Sequence, residues 1–239
     1  MWKVAIIVSA LGGSSFLSAQ IKEAPGCAAQ SEFAPAVVIE SDSKVTFKCD
    51  RATPLDLIRA IGRQSRLPIG VVLGEDQNAL SKPVHSYDLE RIDPRAALGK
   101  SIEGTGFSLR EVNEAIELIA GDLIPRQWQL LTHRYSDFNP GPNQTMVGLG
   151  IALTMWMRAA IDPKAGFGGS ILYSTNEELF TLKGTSTATT EEIADMIASL
   201  GSKGMWIFRV DASPPTGALT DEIVIEPYQH YSNKPNVHR

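Results

Sequence analysis

Apolar positions along the chain change period several times, and each change marks an element. In residues 45–49 apolar and polar residues alternate, the period of a half-buried strand with Val45, Phe47 and Cys49 on one face. Thr53 then stands where a helix N-cap is wanted, and Pro54 fills a first helical position that needs no N–H. Leu55, Ile58 and Ile61, flanked by Leu57 and Ala60, make the apolar stripe of that helix, which Leu67-Pro68 ends. Residues 69–73 read as a short apolar strand and 82–89 as another. Asp93-Pro94 repeats the cap-plus-proline signal; Ala96, Ala97, Leu98 and Ile102 line a second helix, and Gly104 is its expected stop. Residues 107–110 and 115–120 flank Glu111-Val112-Asn113-Glu114, which predicts a hairpin.

Leu123-Ile124-Pro125 reads as a joint, and beyond it nearly the same order of elements returns. Residues 128–135 read as a strand, and Asn139-Pro140-Gly141-Pro142 is a strong break. Residues 144–161 form a helix that is apolar almost all round, with Met146, Leu149, Leu153 and Met157 at helical spacing. Strands are expected at 171–174 and 179–183. A last helix follows over 191–200, capped by Thr189 or Thr190 with Glu191 and Glu192 in its first turn, and a closing strand over 205–210. The expected fold class is therefore α+β. It comprises two small domains, residues 45–121 and 126–211, each of about three or four strands with two helices packed on one face in βαββαβ-like order. A tail, 212–239, carries one short strand candidate at 222–225.

The N-terminus changes the picture of where this fold works. Met1-Trp2-Lys3 is a short positive start, residues 4–17 are mostly apolar but broken by Gly12-Gly13-Ser14-Ser15, and Leu17-Ser18-Ala19 offers small residues to a signal peptidase. Residues 1–19 are expected to be a cleaved export signal and 20–44 a linker with one apolar run at 36–39, placing the chain in the periplasm or outside the cell. No transmembrane segment is expected after cleavage, since the apolar core is too short and too polar to span a bilayer. Cleavage removes Lys3 and no acid, so the formal charge goes from −5 to −6, which argues against a nucleic-acid partner. Cys27 and Cys49 remain, and an oxidising compartment makes them a candidate disulfide; two separate thiols are the alternative.

The first unit resembles the short N-terminal domain shared by secretins and TonB-dependent receptors. The resemblance rests on Val45-Thr46-Phe47, on Pro54-Leu55 through Gln64-Ser65-Arg66-Leu67-Pro68, on Val71-Val72, on Ala97-Leu98 with Ile102, and on Gly104-Thr105-Gly106-Phe107. The second unit is more faintly similar to the ring-forming domains that follow in secretins, through His133-Arg134-Tyr135-Ser136-Asp137, Ser174-Thr175-Asn176, Leu182-Lys183-Gly184-Thr185 and the helix 191–200. The secretin pore domain has no counterpart before Arg239, so the resemblance implies recognition rather than transport.

Catalytic motifs are missing: there is no Gly-x-Ser-x-Gly, phosphate loop, His-Glu-x-x-His or Cys-x-x-Cys. His85, His133, His230 and His238 are scattered, and Asp88, Glu90 and Asp93 read as a polar strand end leading to an N-cap, so no metal is expected. Gly148-Leu149-Gly150 lies inside a helix, where close packing explains it better than a dinucleotide. No catalytic residue and no cofactor is expected. The expected function is a non-catalytic interaction module of the bacterial envelope, with an envelope protein as partner, such as a secretion or outer-membrane receptor component, and with self-association a further expectation. Sheet edges would carry recognition, with Val45, Phe47, Phe107, Leu109, Ile116 and Leu118 as candidate contact residues. The alternative is a small-molecule-binding or enzymatic domain using a cleft between the units, lined by Trp128, Tyr135, Trp156 and Trp206.

Overall fold

A computed structural model describes residues 37–39, 44–49, 52–82, 87–112, 114–161, 178–182, 187–211 and 220–228. In order, the elements are β1 (Val37–Ile39), β2 (Val45–Cys49), α1 (Pro54–Ser65), β3 (Ile69–Val72), β4 (Tyr87–Ile92), α2 (Pro94–Ser101), β5 (Phe107–Val112) and β6 (Ala115–Ala120). Then come α3 (Pro125–Leu131), β7 (Arg134–Tyr135), α4 (Met146–Ile161), β8 (Ala188–Thr189), α5 (Thr190–Ala198), β9 (Gly204–Asp211) and β10 (Thr220–Pro227). The class is α+β, as expected.

The helix starts follow local chemistry. Thr53 caps α1: its hydroxyl accepts from the Asp56 N–H at 3.1 Å while the Asp56 carboxylate accepts from the Thr53 N–H. Thr189 and Glu192 make the same reciprocal pair at α5, and Asp93 caps α2. Thr190, the other expected cap, is instead the first residue of α5, where its buried hydroxyl donates to the Leu130 carbonyl.

Strand pairing departs from one sheet per unit. A five-stranded sheet runs in the order β10-β9-β3-β6-β5, so β3 lies parallel both to β6 of its own unit and to β9 of the next. Ile69 to Val72 are buried throughout, as a strand covered on both faces requires. The expected tail strand at 222–225 is the full-length β10, paired antiparallel to β9 over Thr220–Pro227.

Alternation along these strands sends residues to two apolar clusters. Ile69, Val71, Ile116, Leu118, Met205 and Ile207 join α1 and α2, together with Val45 and Phe47 of the smaller sheet β1-β2-β4. Val72, Trp206, Phe208, Ile223 and Ile225 join α4 and α5 on the opposite face. Helices therefore cover both faces of one sheet that spans the expected joint, rather than one face of two sheets. The physical reason is β3, whose every residue is apolar or glycine and which a single layer of helices would leave half wet.

Two further expectations change locally. The strand expected over 128–135 is mostly helix α3. Pro125 suits its first turn, the Gln127 side chain accepts from the Ile124 N–H, and Gln127, Leu130 and Leu131 form its buried stripe. Only Arg134 and Tyr135 are extended, paired with Ala188–Thr189. The strand expected over 82–89 lies further along, as β4; residues 83–86, like the 171–174 strand and residues 1–36, fall outside the described residues. Within the expected strand 179–183, Phe180 makes a single bridge with Gln144.

Candidate functional site

The two outer strands of the large sheet are treated differently. On β10, the Thr154 hydroxyl of α4 accepts from the Ile223 N–H at 2.9 Å and donates to the Ile223 carbonyl at 3.2 Å, and Arg158 donates from Nε to the Asp221 carbonyl. Gly150 permits the approach, because a Cβ there would lie 2.3 Å from Ile225 Cγ1. The Gly148-Leu149-Gly150 stretch is thus a packing feature of α4 on β10. That edge is covered by a helix that hydrogen-bonds its backbone.

On β5 no such cover exists among the described residues: its backbone has β6 on one side and no hydrogen bond from a described residue on the other. The Gly121 N–H donates to the Gly106 carbonyl just before the register Phe107↔Ala120, so by antiparallel alternation Ser108, Arg110 and Val112 bond to β6. Phe107, Leu109 and Glu111 therefore turn their N–H groups outward.

Of the side chains expected to make contacts, only those of Phe107 and Leu109 belong to β5. Val45, Phe47, Ile116 and Leu118 are buried in the core, and Phe107 and Leu109 are half-buried against the same cluster. β2 is not an edge, because β1 pairs with it on one side and β4 on the other. What β5 offers is its backbone. Cys27 lies outside the described residues, and Cys49 ends β2 opposite Tyr87, so the candidate disulfide falls outside them too. Trp128, Tyr135, Trp156 and Trp206 do not line a common cleft: Trp206 is fully buried, Trp156 stacks edge-on against Tyr135 and Phe138, and Trp128 is exposed.

A buried polar constellation that residue patterns missed lies on the α5 face. Glu117, Gly70 and Trp206 occupy one row across β6, β3 and β9. A Cβ on Gly70 would sit 2.5 Å from the Trp206 ring, so the missing side chain lets the indole lie across β3. The Trp206 Nε1–H donates to Asp195 Oδ1 at 2.7 Å. Arg110 donates from Nε to Glu117 at 2.6 Å and also to Glu191, four residues before Asp195 on α5. Glu117 has no solvent exposure, and both Glu117 Oε1 and Asp195 Oδ2 lack a hydrogen-bond donor among the described residues.

One guanidinium thus faces three carboxyl groups. Burial, then the neighbouring charge of Glu117, pushes the Glu191 carboxyl up to about 7. Burial likewise pushes Asp195 up to about 6, against the Trp206 hydrogen bond, and it raises Glu117 together with the charge of Asp195. Glu117 and Asp195 can meet favourably only with a proton between them. The sequence signal was an isolated Glu among apolar residues in β6, but its partners on β5 and α5 are distant in the chain.

Asp195 also walls a cavity of about 450 Å³, beside Met196 of α5, Leu200 just past its end, Leu182, and Val112 and Ala115 at the ends of β5 and β6. A second cavity, about 360 Å³, lies on the α1 face, where Arg59 is paired with Glu226 and Arg209 with Glu222. Among the described residues no group of three or more His, Cys, Asp and Glu has the arrangement of a metal site, and no helix is long and apolar enough to cross a membrane. In comparisons with known proteins, no family model matches the chain, and no curated protein or solved structure is significantly similar to it.

Proposed function

We propose that this chain is a non-catalytic protein–protein interaction module of the bacterial cell envelope, exported by residues 1–19 and akin to the N-terminal domains of secretins. One observation supports that reading above the others: α4 hydrogen-bonds along β10, while β5 keeps the outward N–H groups of Phe107, Leu109 and Glu111 without a described partner. A strand from another protein, or from a second copy, can add there and gain a ladder of main-chain hydrogen bonds. Arg110 and Glu111 limit indiscriminate pairing. The first is drawn inward to Glu117 and Glu191, and the second meets Arg95 of α2 at 3.3 Å.

The test is a photoreactive residue at Ser108, an exposed position on β5, activated in living bacterial envelopes. A defined adduct with one envelope protein or with a second copy is expected. It should disappear in Glu111→Pro, which deletes an outward N–H without breaking the ladder to β6, and persist in Glu111→Ala. An adduct indifferent to the proline, or no adduct at all, would contradict strand addition at β5.

A further inference from the structure

We propose that the cavity at the end of β5 is a specificity pocket, which receives one bulky apolar side chain of the strand that adds to that edge. The proposal rests on strand addition at β5 and names what the added strand must carry. Position comes first. Val112 closes β5 and also walls the cavity. Its side chain shares a sheet face with that of Arg110, which reaches Glu191 of α5, so this end of the edge opens on the α5 side. The Glu111 N–H turns outward, whereas that of Val112 turns to β6. An antiparallel strand bonded to Glu111 therefore sets its adjacent residue opposite Val112 in a close pair without hydrogen bonds. That side chain lies on the α5 face, against Val112 and beside the cavity.

The walls set the chemistry. Ala115 pairs with Val112 across the hairpin, and Leu182, Met196 and Leu200 complete an apolar lining. Met196 is 38% exposed, and a hydrocarbon side chain entering the cavity would withdraw it from water. The lining carboxyls offer such a side chain nothing: Glu192 accepts from the Thr189 N–H as part of a helix cap, and Asp195 is turned to the Trp206 indole. A volume of about 450 Å³ has room for a phenylalanine, leucine or methionine side chain. With Glu114 and Glu192 in the lining and no lysine or arginine there among the described residues, basic residues flanking the inserted one suit the site better than acidic ones. Alternation extends the pattern. In the antiparallel register, the third residue after the inserted one faces Leu109 and the fifth faces Phe107, both half-buried on the opposite face of the sheet. The partner is thus an extended segment with one bulky apolar residue, followed three and five positions later by further apolar residues. Main-chain bonds to β5 hold it, and the pocket selects it.

The experiment selects nonapeptides from a random display library on the immobilised full chain and measures the best of them by fluorescence anisotropy. Enriched peptides are expected to share that spacing, and alanine in place of the bulky residue should weaken binding by about tenfold or more. Met196→Lys, at a partly exposed position of α5, should weaken the parent peptide by a similar factor and leave the alanine peptide nearly unchanged. Glu111→Pro should weaken both peptides, because it removes a ladder bond and not the pocket. No enrichment, enrichment without the spacing, equal binding of parent and alanine peptides, or indifference to Met196→Lys would overturn the pocket. Strand addition would survive those last two results if Glu111→Pro still weakened binding. Binding indifferent to Glu111→Pro would instead contradict strand addition, and the pocket assignment with it. The deciding substitution lies in the peptide, so the comparison holds whether or not a variant folds.

Discussion

Glu117 occupies a position that alternation alone would fill with a valine or leucine, between Ile116 and Leu118 on a fully buried stretch of strand. Its neighbours explain why the chain tolerates it: Arg110 reaches it from β5, and the carboxyls of Glu191 and Asp195 share the remaining space. The consequence is a fold that prefers protons. A carboxyl whose folded pKa lies above its unfolded value binds more protons in the folded state, so stability falls as pH rises from the ordinary carboxylate range towards about 7. Thermal unfolding should therefore show Tm decreasing between pH 5 and pH 7.5. Glu191→Gln, which keeps the shape and removes the titration, should flatten that slope. A slope unchanged in Glu191→Gln would place the titrating group elsewhere. None of this was legible in the sequence, because a lone acid in an apolar run does not reveal which distant residues meet it.

Elements with their own punctuation were legible. Thr53-Pro54 and Asp93-Pro94 start α1 and α2 where capping chemistry puts them, and β5 and β6 pair antiparallel as the expected hairpin. The helix α3 was missed because Trp128-Gln129-Leu130 alternates apolar and polar residues, while Gln127, whose buried amide helps to fix the helix start, precedes the expected strand. Glycines separate packing from propensity. Gly150→Ala should destabilise the fold by about 1–3 kcal/mol, because the new methyl would meet Ile225. Gly99→Ala, inside α2 with open space around it, should stabilise by about 0.5–1 kcal/mol. Denaturant unfolding of the two variants checks the pair; equal effects would mean that α4 does not rest on β10 as described.

At the scale of the molecule, the local patterns described two similar units, but pairing between strands far apart in sequence joins them. The reason lies in β3, a strand too apolar for one sheet edge, which takes β6 and β9 as parallel neighbours. A fragment of residues 45–121 leaves Ile69 to Val72 without β9 and without α4 and α5 above Val72. It should lack a cooperative unfolding transition by circular dichroism, whereas a sharp transition would show that the unit folds alone. The same topology leaves β10 under α4 and β5 outermost at the far side. Amide hydrogen exchange on β5, measured for the chain alone and with the partner captured at Ser108, tests that claim most directly. In the chain alone, the N–H groups of Ser108, Arg110 and Val112 should be protected, and those of Leu109 and Glu111 should exchange fast; on binding, the outward pair should become protected as well. Uniform protection of β5 without a partner, or fast exchange of Leu109 and Glu111 that binding leaves unchanged, would contradict strand addition at this edge.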